Sequence, residues 1–116
     1  MISASQFTTA LGLTESDGNP NAPLGDDGRA VGRFQAHPDW QWTWAKHYNL
    51  APNLDEKWDS WIERLVMAFA ADHLKYMTPE KVAMYFHLGH MSAPIDKGWD
   101  ADYAARFNAR LATVQA

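Results

Sequence analysis

Between Asp55 and His73 the residues Trp58, Trp61, Ile62, Leu65, Val66, Phe69 and His73 recur at intervals of three and four. That spacing gathers them on one stripe of an α-helix. One amphipathic helix cannot bury its own stripe, so the rest of the chain must supply partners. It does so in the same period. Ser3 or Ser5 can cap a first helix carrying Phe7, Ala10, Leu11 and Thr14, which runs out near Glu15-Ser16. Pro38 suits the first turn of a helix with Trp40, Trp44, Ala45 and Tyr48, which Pro52 ends. Asp55 then opens the long helix. Thr78-Pro79-Glu80 starts another, bearing Val82, Ala83, Tyr85 and Phe86 and fading at Gly89. After a turn from Pro94 to Gly98, a last helix presents Tyr103, Phe107 and Leu111. No strand-like alternation survives outside the loops, and there is no internal repeat. The expected fold class is all-α, or α+β at most.

A length of 116 residues implies one domain over 1–116, long enough for a single core without staples. No cysteine is present, which removes disulfides, thiolate zinc sites and a cysteine nucleophile. The net charge of −4 argues against nucleic acid as a partner, since that affinity rests on phosphate neutralisation by Lys and Arg. No apolar run approaches the roughly 20 residues of a membrane span. The N-terminus has neither a basic segment nor a long apolar one, so the expectation is synthesis in the cytoplasm without a visible signal peptide.

From Asp17 to Arg33 the chain carries four Gly and two Pro, and reads as a long ordered loop with room for a small hairpin. Just before it stands Glu15, a carboxylate at the end of a helix and next to apolar residues. Most Glu residues at such places are simply solvated. Glu15 differs from them in its downstream sequence: Glu15-Ser16, then Asn19-Pro20-Asn21-Ala22, then Gly32-Arg33-Phe34-Gln35, and later Phe86-His87-Leu88-Gly89. This order resembles the signature of goose-type lysozymes and lytic transglycosylases. In those families a Glu-Ser ends a helix, a Gly-x-x-Gln segment comes about twenty residues later, and a Tyr-Asn-Ala-Gly motif lines the sugar cleft. The resemblance runs from about Phe7 to Leu111.

The resemblance implies a lysozyme-like helical domain that cleaves the MurNAc–GlcNAc bond of peptidoglycan, with Glu15 as general acid and then base and no cofactor. It implies that Ser16 supports the acid, that Phe34 packs beneath the site, and that Gln35, Phe86 and His87 meet the sugar. Gly32 would permit a backbone conformation that side chains forbid. Asp26 or Asp27 fits the first of the extra aspartates of goose-type lysozymes. The place of the second is His37, which tilts the expected chemistry towards a transglycosylase. His87 stands where the family has Asn, and a site damaged there would leave a module that binds wall glycan or serves in a virion. Peptidoglycan strands are thus the expected partner, at the cell wall or within a larger phage or secretion assembly.

Six Trp and 13% aromatics also suit sugar stacking, although aromatics at helical spacing are first of all core. Trp40, Trp42 and Trp44 cannot share one helix face, because residues two apart diverge by about 200°. Trp42 is the one expected to be exposed, as a stacking platform or partner contact, whereas Trp58 and Trp61 are expected in the core. His87-x-x-His90 lacks the Cys or the His-Glu-x-x-His context of a zinc site, so no metal is expected. The segment from Asp17 fails as an EF-hand, having Ala22 and Gly28 at its sixth and twelfth positions.

Overall fold

A computed structural model describes residues 2–25, 28, 30–89 and 98–115. The expected helices are present: α1 (Ala4–Ser16), α2 (Pro38–Tyr48), α3 (Trp58–His73), α4 (Pro79–Leu88) and α5 (Ala101–Gln115). There is no strand among the described residues, and the fold is all-α. The turn expected between Pro94 and Gly98 lies outside the described residues except for Gly98.

Local chemistry sets most of the boundaries. Ser3 and Gln6 form a reciprocal capping box, in which Ser3 Oγ accepts from Gln6 N and Ser3 N donates to Gln6 Oε1. Asp17, in the left-handed region at φ 55°, ends α1, and the Gly18 amide closes back on the Gly12 carbonyl at 3.0 Å. Thr78 Oγ1 accepts from Lys81 N at the start of α4, which Gly89 ends at φ 65°.

The start of α3 differs from the expectation. Asp55 does not open the helix; Lys57 is the residue before it, and no side chain caps it. The carboxylate at work is that of Glu56, which accepts from the Asn53 amide and takes both Nε and Nη2 of Arg64 at 2.6 Å. The Arg64 guanidinium, with the Asn53 amide second, holds this carboxyl down at about 2. A folded value below the ordinary 4.5 means that the clasp contributes fully above that pH and is lost as pH falls towards 2. Glu56→Gln should therefore narrow the stability gap between pH 5 and pH 2.5 in thermal melts. A wild-type and variant difference that does not change with pH would refute this.

The core joins all five helices. Phe7 and Leu11 of α1, Trp61, Leu65, Val66 and Phe69 of α3, Val82 and Met84 of α4, and Phe107 of α5 are sealed from solvent. Helix α1 lies between α3 and α5, while α2 packs on α3 and α4 on α5. Phe7 meets Phe107 across the α1–α5 contact with centroids 5.3 Å apart. Trp61 Nε1 donates to the Leu50 carbonyl at 2.7 Å, so its polar atom is satisfied in the core. Trp58 departs from the expectation: it is 46% exposed and packs edge-on against Trp61 at the margin of the core.

The long loop is tied down without forming strands. Isolated bridges pair Gly25 with Ala30 and Val31 with Ala36. Phe34 is buried, and Arg33 reaches across to Asp59 at 3.0 Å and to Glu63 on α3. Ser16 Oγ donates to the Arg33 carbonyl at 2.6 Å, fastening the loop to the end of α1. This places the segment after Glu15 and the segment before α2 on one side of the molecule.

Candidate active site

The two segments meet at a cleft of about 670 Å³, within the roughly 300–1,000 Å³ range of small-molecule sites. The end of α1 contributes Thr14 and Glu15; the loop contributes Gln35 and His37; the first turn of α2 contributes Asp39 and Trp40. Phe86 and His87 come from the end of α4, and Tyr103 and Arg106 from one face of α5. Glu15 reaches the cleft because it occupies the last turn of α1, beyond the buried Leu11 and Thr14 that fix that helix against the core.

One polar contact in the cleft joins its two ends of sequence. Tyr103 Oη donates to Glu15 Oε2 at 2.5 Å, a bond across 88 residues. Tyr103 is almost wholly buried. That burial, followed by the charge of Glu15 and its hydrogen bond, pushes the phenol well above its usual range. Tyr103 therefore stays protonated and serves as a fixed donor. A buried donor to a carboxylate stabilises the ionised form and locks its orientation.

A second set of contacts fixes Tyr103 itself. The His87 imidazole lies flat on the phenol ring, with centroids 3.8 Å apart and planes 10° from parallel. His87 Nε2 is 3.2 Å from Asp100 Oδ2, while Asp100 Oδ1 accepts from the Tyr103 amide at 3.0 Å. The backbone amide of Tyr103, then His87, hold the Asp100 carboxyl below its usual range. Arg106 places its guanidinium over the Tyr103 ring at 5.5 Å and donates to the Thr14 carbonyl at 3.3 Å.

Of the residues singled out from sequence, Glu15, Gln35, Phe86 and His87 line this cleft together. Gln35 has a different task from the one expected. Its Nε2 donates to the carbonyls of Gly32 (2.8 Å) and Pro23 (3.3 Å), so its N–H groups are committed to the loop rather than to a ligand. The backbone at Gln35 is left-handed at φ 49°, and a Cβ on Gly25 would lie 2.6 Å from Gln35 Oε1. Only glycine fits at position 25 while that amide stays in place. Gly32, at φ 74°, has the backbone conformation expected of it.

Ser16, Gly32 and Phe34 are not on the cleft surface; they stand behind it and shape the loop. Trp42 is also a correction. It is 54% exposed, as expected, but sits on the other face of α2 from Trp40, clustered with Trp58 and Trp61 and away from the cleft. Asp26 and Asp27 lie outside the described residues, as does His90.

Three cleft residues escape sequence reasoning. Tyr103 reads from sequence as one more apolar position of α5, and nothing local signals a partner 88 residues away. Arg106 comes one turn later on the same face. Asp39 does carry a signal, being an acid in the first turn of a helix that begins three residues after Gln35. It gives the cleft a second carboxylate, where His37 by itself implies the loss of one. Among the described residues no group of three His, Asp or Glu side chains could hold a metal ion, and no helix is long and apolar enough to cross a membrane.

The arrangement can deliver and recover a proton at Glu15 and offers polar side chains around it to a polar ligand. No family model matches the chain, and no curated protein or solved structure matches it.

Proposed function

We propose that this protein cleaves the MurNAc–GlcNAc bond of peptidoglycan strands, with Glu15 as general acid and base. The observation that carries the reading is the Glu15 carboxyl held by a buried phenol at the wall of a sugar-sized cleft. Trp40 and Phe86, both buried, form the apolar backing of the cleft, while Asp39, His37 and Arg106 offer polar partners. In the first step the Glu15 proton passes to the glycosidic oxygen as the bond to the anomeric carbon breaks. The Glu15 carboxylate left behind is the state that the Tyr103 hydroxyl stabilises.

What Glu15 then deprotonates decides the product. If it takes the proton from the sugar's own C6 hydroxyl, that oxygen closes on the anomeric carbon and leaves a 1,6-anhydro end. If it or Asp39 takes a proton from water, hydroxide adds and a reducing end results. The missing aspartate at His37 favours the first outcome, and Asp39 on the same cleft favours the second.

Digestion of purified cell-wall sacculi, with mass analysis of the released fragments, tests the reading. Release of disaccharide units is expected; intact sacculi after prolonged incubation would leave a glycan-binding or virion module as the better account. Asp39→Asn divides the two chemistries. Transglycosylation predicts anhydro products at close to the wild-type rate, whereas hydrolysis predicts a loss of about tenfold or more in reducing ends.

A further inference from the structure

Tyr103, the phenol that meets Glu15, is itself held from two sides by residues that the chemistry above does not use. His87 is half-exposed at the end of α4, Asp100 stands one residue before α5, and neither is needed for proton transfer. Yet the two converge on Tyr103 from its ring face and its backbone. We propose that His87 and Asp100 act as positioning residues that hold the Tyr103 hydroxyl, and through it the Glu15 carboxyl, in the catalytic orientation. The proposal rests on Glu15 being the acid.

A tyrosine side chain has two heavy-atom torsions. Burial against the core fixes the first. The parallel imidazole at 3.8 Å restrains the second. Oη lies on that axis and does not move, but the phenol O–H prefers the ring plane, so holding the plane holds the direction in which the proton points. The imidazole in turn is restrained by Asp100, whose Oδ2 lies 3.2 Å from its Nε2. Asp100 is itself oriented by its bond to the Tyr103 amide, so one carboxylate ties the end of α4 to the first turn of α5. Each restraint ends on Tyr103, whose hydroxyl meets Glu15 at 2.5 Å. A misdirected donor is costly, because a hydrogen bond weakens steeply as its angle departs from linear. The exposed Nε2 edge of His87 is spent on Asp100, which favours this role over direct donation to a sugar from that atom.

The test is a double-mutant cycle on sacculi combined with a measurement that needs no turnover. His87→Ala should lower kcat about tenfold with KM nearly unchanged, and His87→Phe, which restores a flat ring but not the bond to Asp100, should recover part of the loss. In a Tyr103→Phe background His87→Ala should cost little more, because its route to Glu15 is already cut. A raised KM, or equal cost in both backgrounds, would overturn the proposal and make His87 a substrate contact. Independently, the Glu15 carboxyl ¹³C resonance should move in His87→Ala towards its position in Tyr103→Phe. An unmoved resonance rejects the positioning role even if the protein cleaves no glycan, while a moved resonance without cleavage by wild type leaves the clamp standing and removes the proposed reaction.

Discussion

Glu15→Gln should abolish release of fragments from sacculi, with a fall of about 10²–10⁴ in rate, the usual worth of a positioned proton donor. The amide is nearly the same size as the carboxyl and can still accept from Tyr103 Oη through its carbonyl, so the cleft keeps its shape. What it cannot do is give a proton to a leaving oxygen or take one back. Glu15 is half-exposed, and its replacement leaves the buried positions of α1 (Phe7, Ala10 and Leu11) untouched. The melting curve should therefore stay close to wild type, in keeping with the small cost of surface changes outside the core. Binding of uncleaved glycan should persist, because the walls from Trp40 to Phe86 are unchanged. Equal clearing by wild type and variant would sink the assignment of the acid, and a large drop in melting temperature would mean that Glu15 serves the fold instead.

The folding information in this chain is mostly local, which is why five helices can be read from apolar spacing and caps. Ser3, Pro38, Thr78 and Gly89 act within a turn of themselves, and the structure uses each where the spacing puts it. Spacing misplaces the start of α3, because an acid before an apolar run looks like a cap wherever it falls. Asp55 and Glu56 are adjacent acids, and only the second meets Arg64, eight residues on, in a geometry that no helical period encodes. Spacing also puts Trp58 in the core, but it lies in the first turn, where the stripe runs past the edge of its neighbours.

The site is legible in a different proportion. Glu15, Gln35, Phe86 and His87 stand out because short motifs fall in order along the chain. Their actual tasks depend on contacts that order does not carry. Gln35 turns its amide inward to two carbonyls, and Ser16 reaches a carbonyl 17 residues away. Tyr103 is hidden because an aromatic residue at a buried helical position satisfies the apolar pattern completely. Its hydroxyl, the one atom that matters to Glu15, is invisible to that pattern. His37 suggests a site short of carboxylates, yet the turn of α2 brings Asp39 to the same wall two residues later.

Tyr103→Phe isolates that hydroxyl, and it should cost about 10- to 100-fold in kcat/KM. That range corresponds to a hydrogen bond to a charged group, worth about 1.5–3 kcal/mol. Phe fills the same buried space in the core, so the protein should fold, and His87 keeps a flat ring to lie on. The pH dependence separates a positioning loss from a general weakening. A phenol donor favours the ionised carboxyl, so without it Glu15 holds its proton to higher pH. The limb on which activity falls because the acid is deprotonated should therefore move to higher pH in the variant, while the peak rate drops. Burial and the charge of Glu15 keep the wild-type phenol protonated well above its ordinary range, so no limb of the wild-type profile belongs to Tyr103 itself. Rates measured from pH 4 to pH 9 on sacculi check both effects. If the limb stays in place and the rate is unchanged, Glu15 takes its orientation from elsewhere in the cleft, and the bond between α1 and α5 serves only to close the fold.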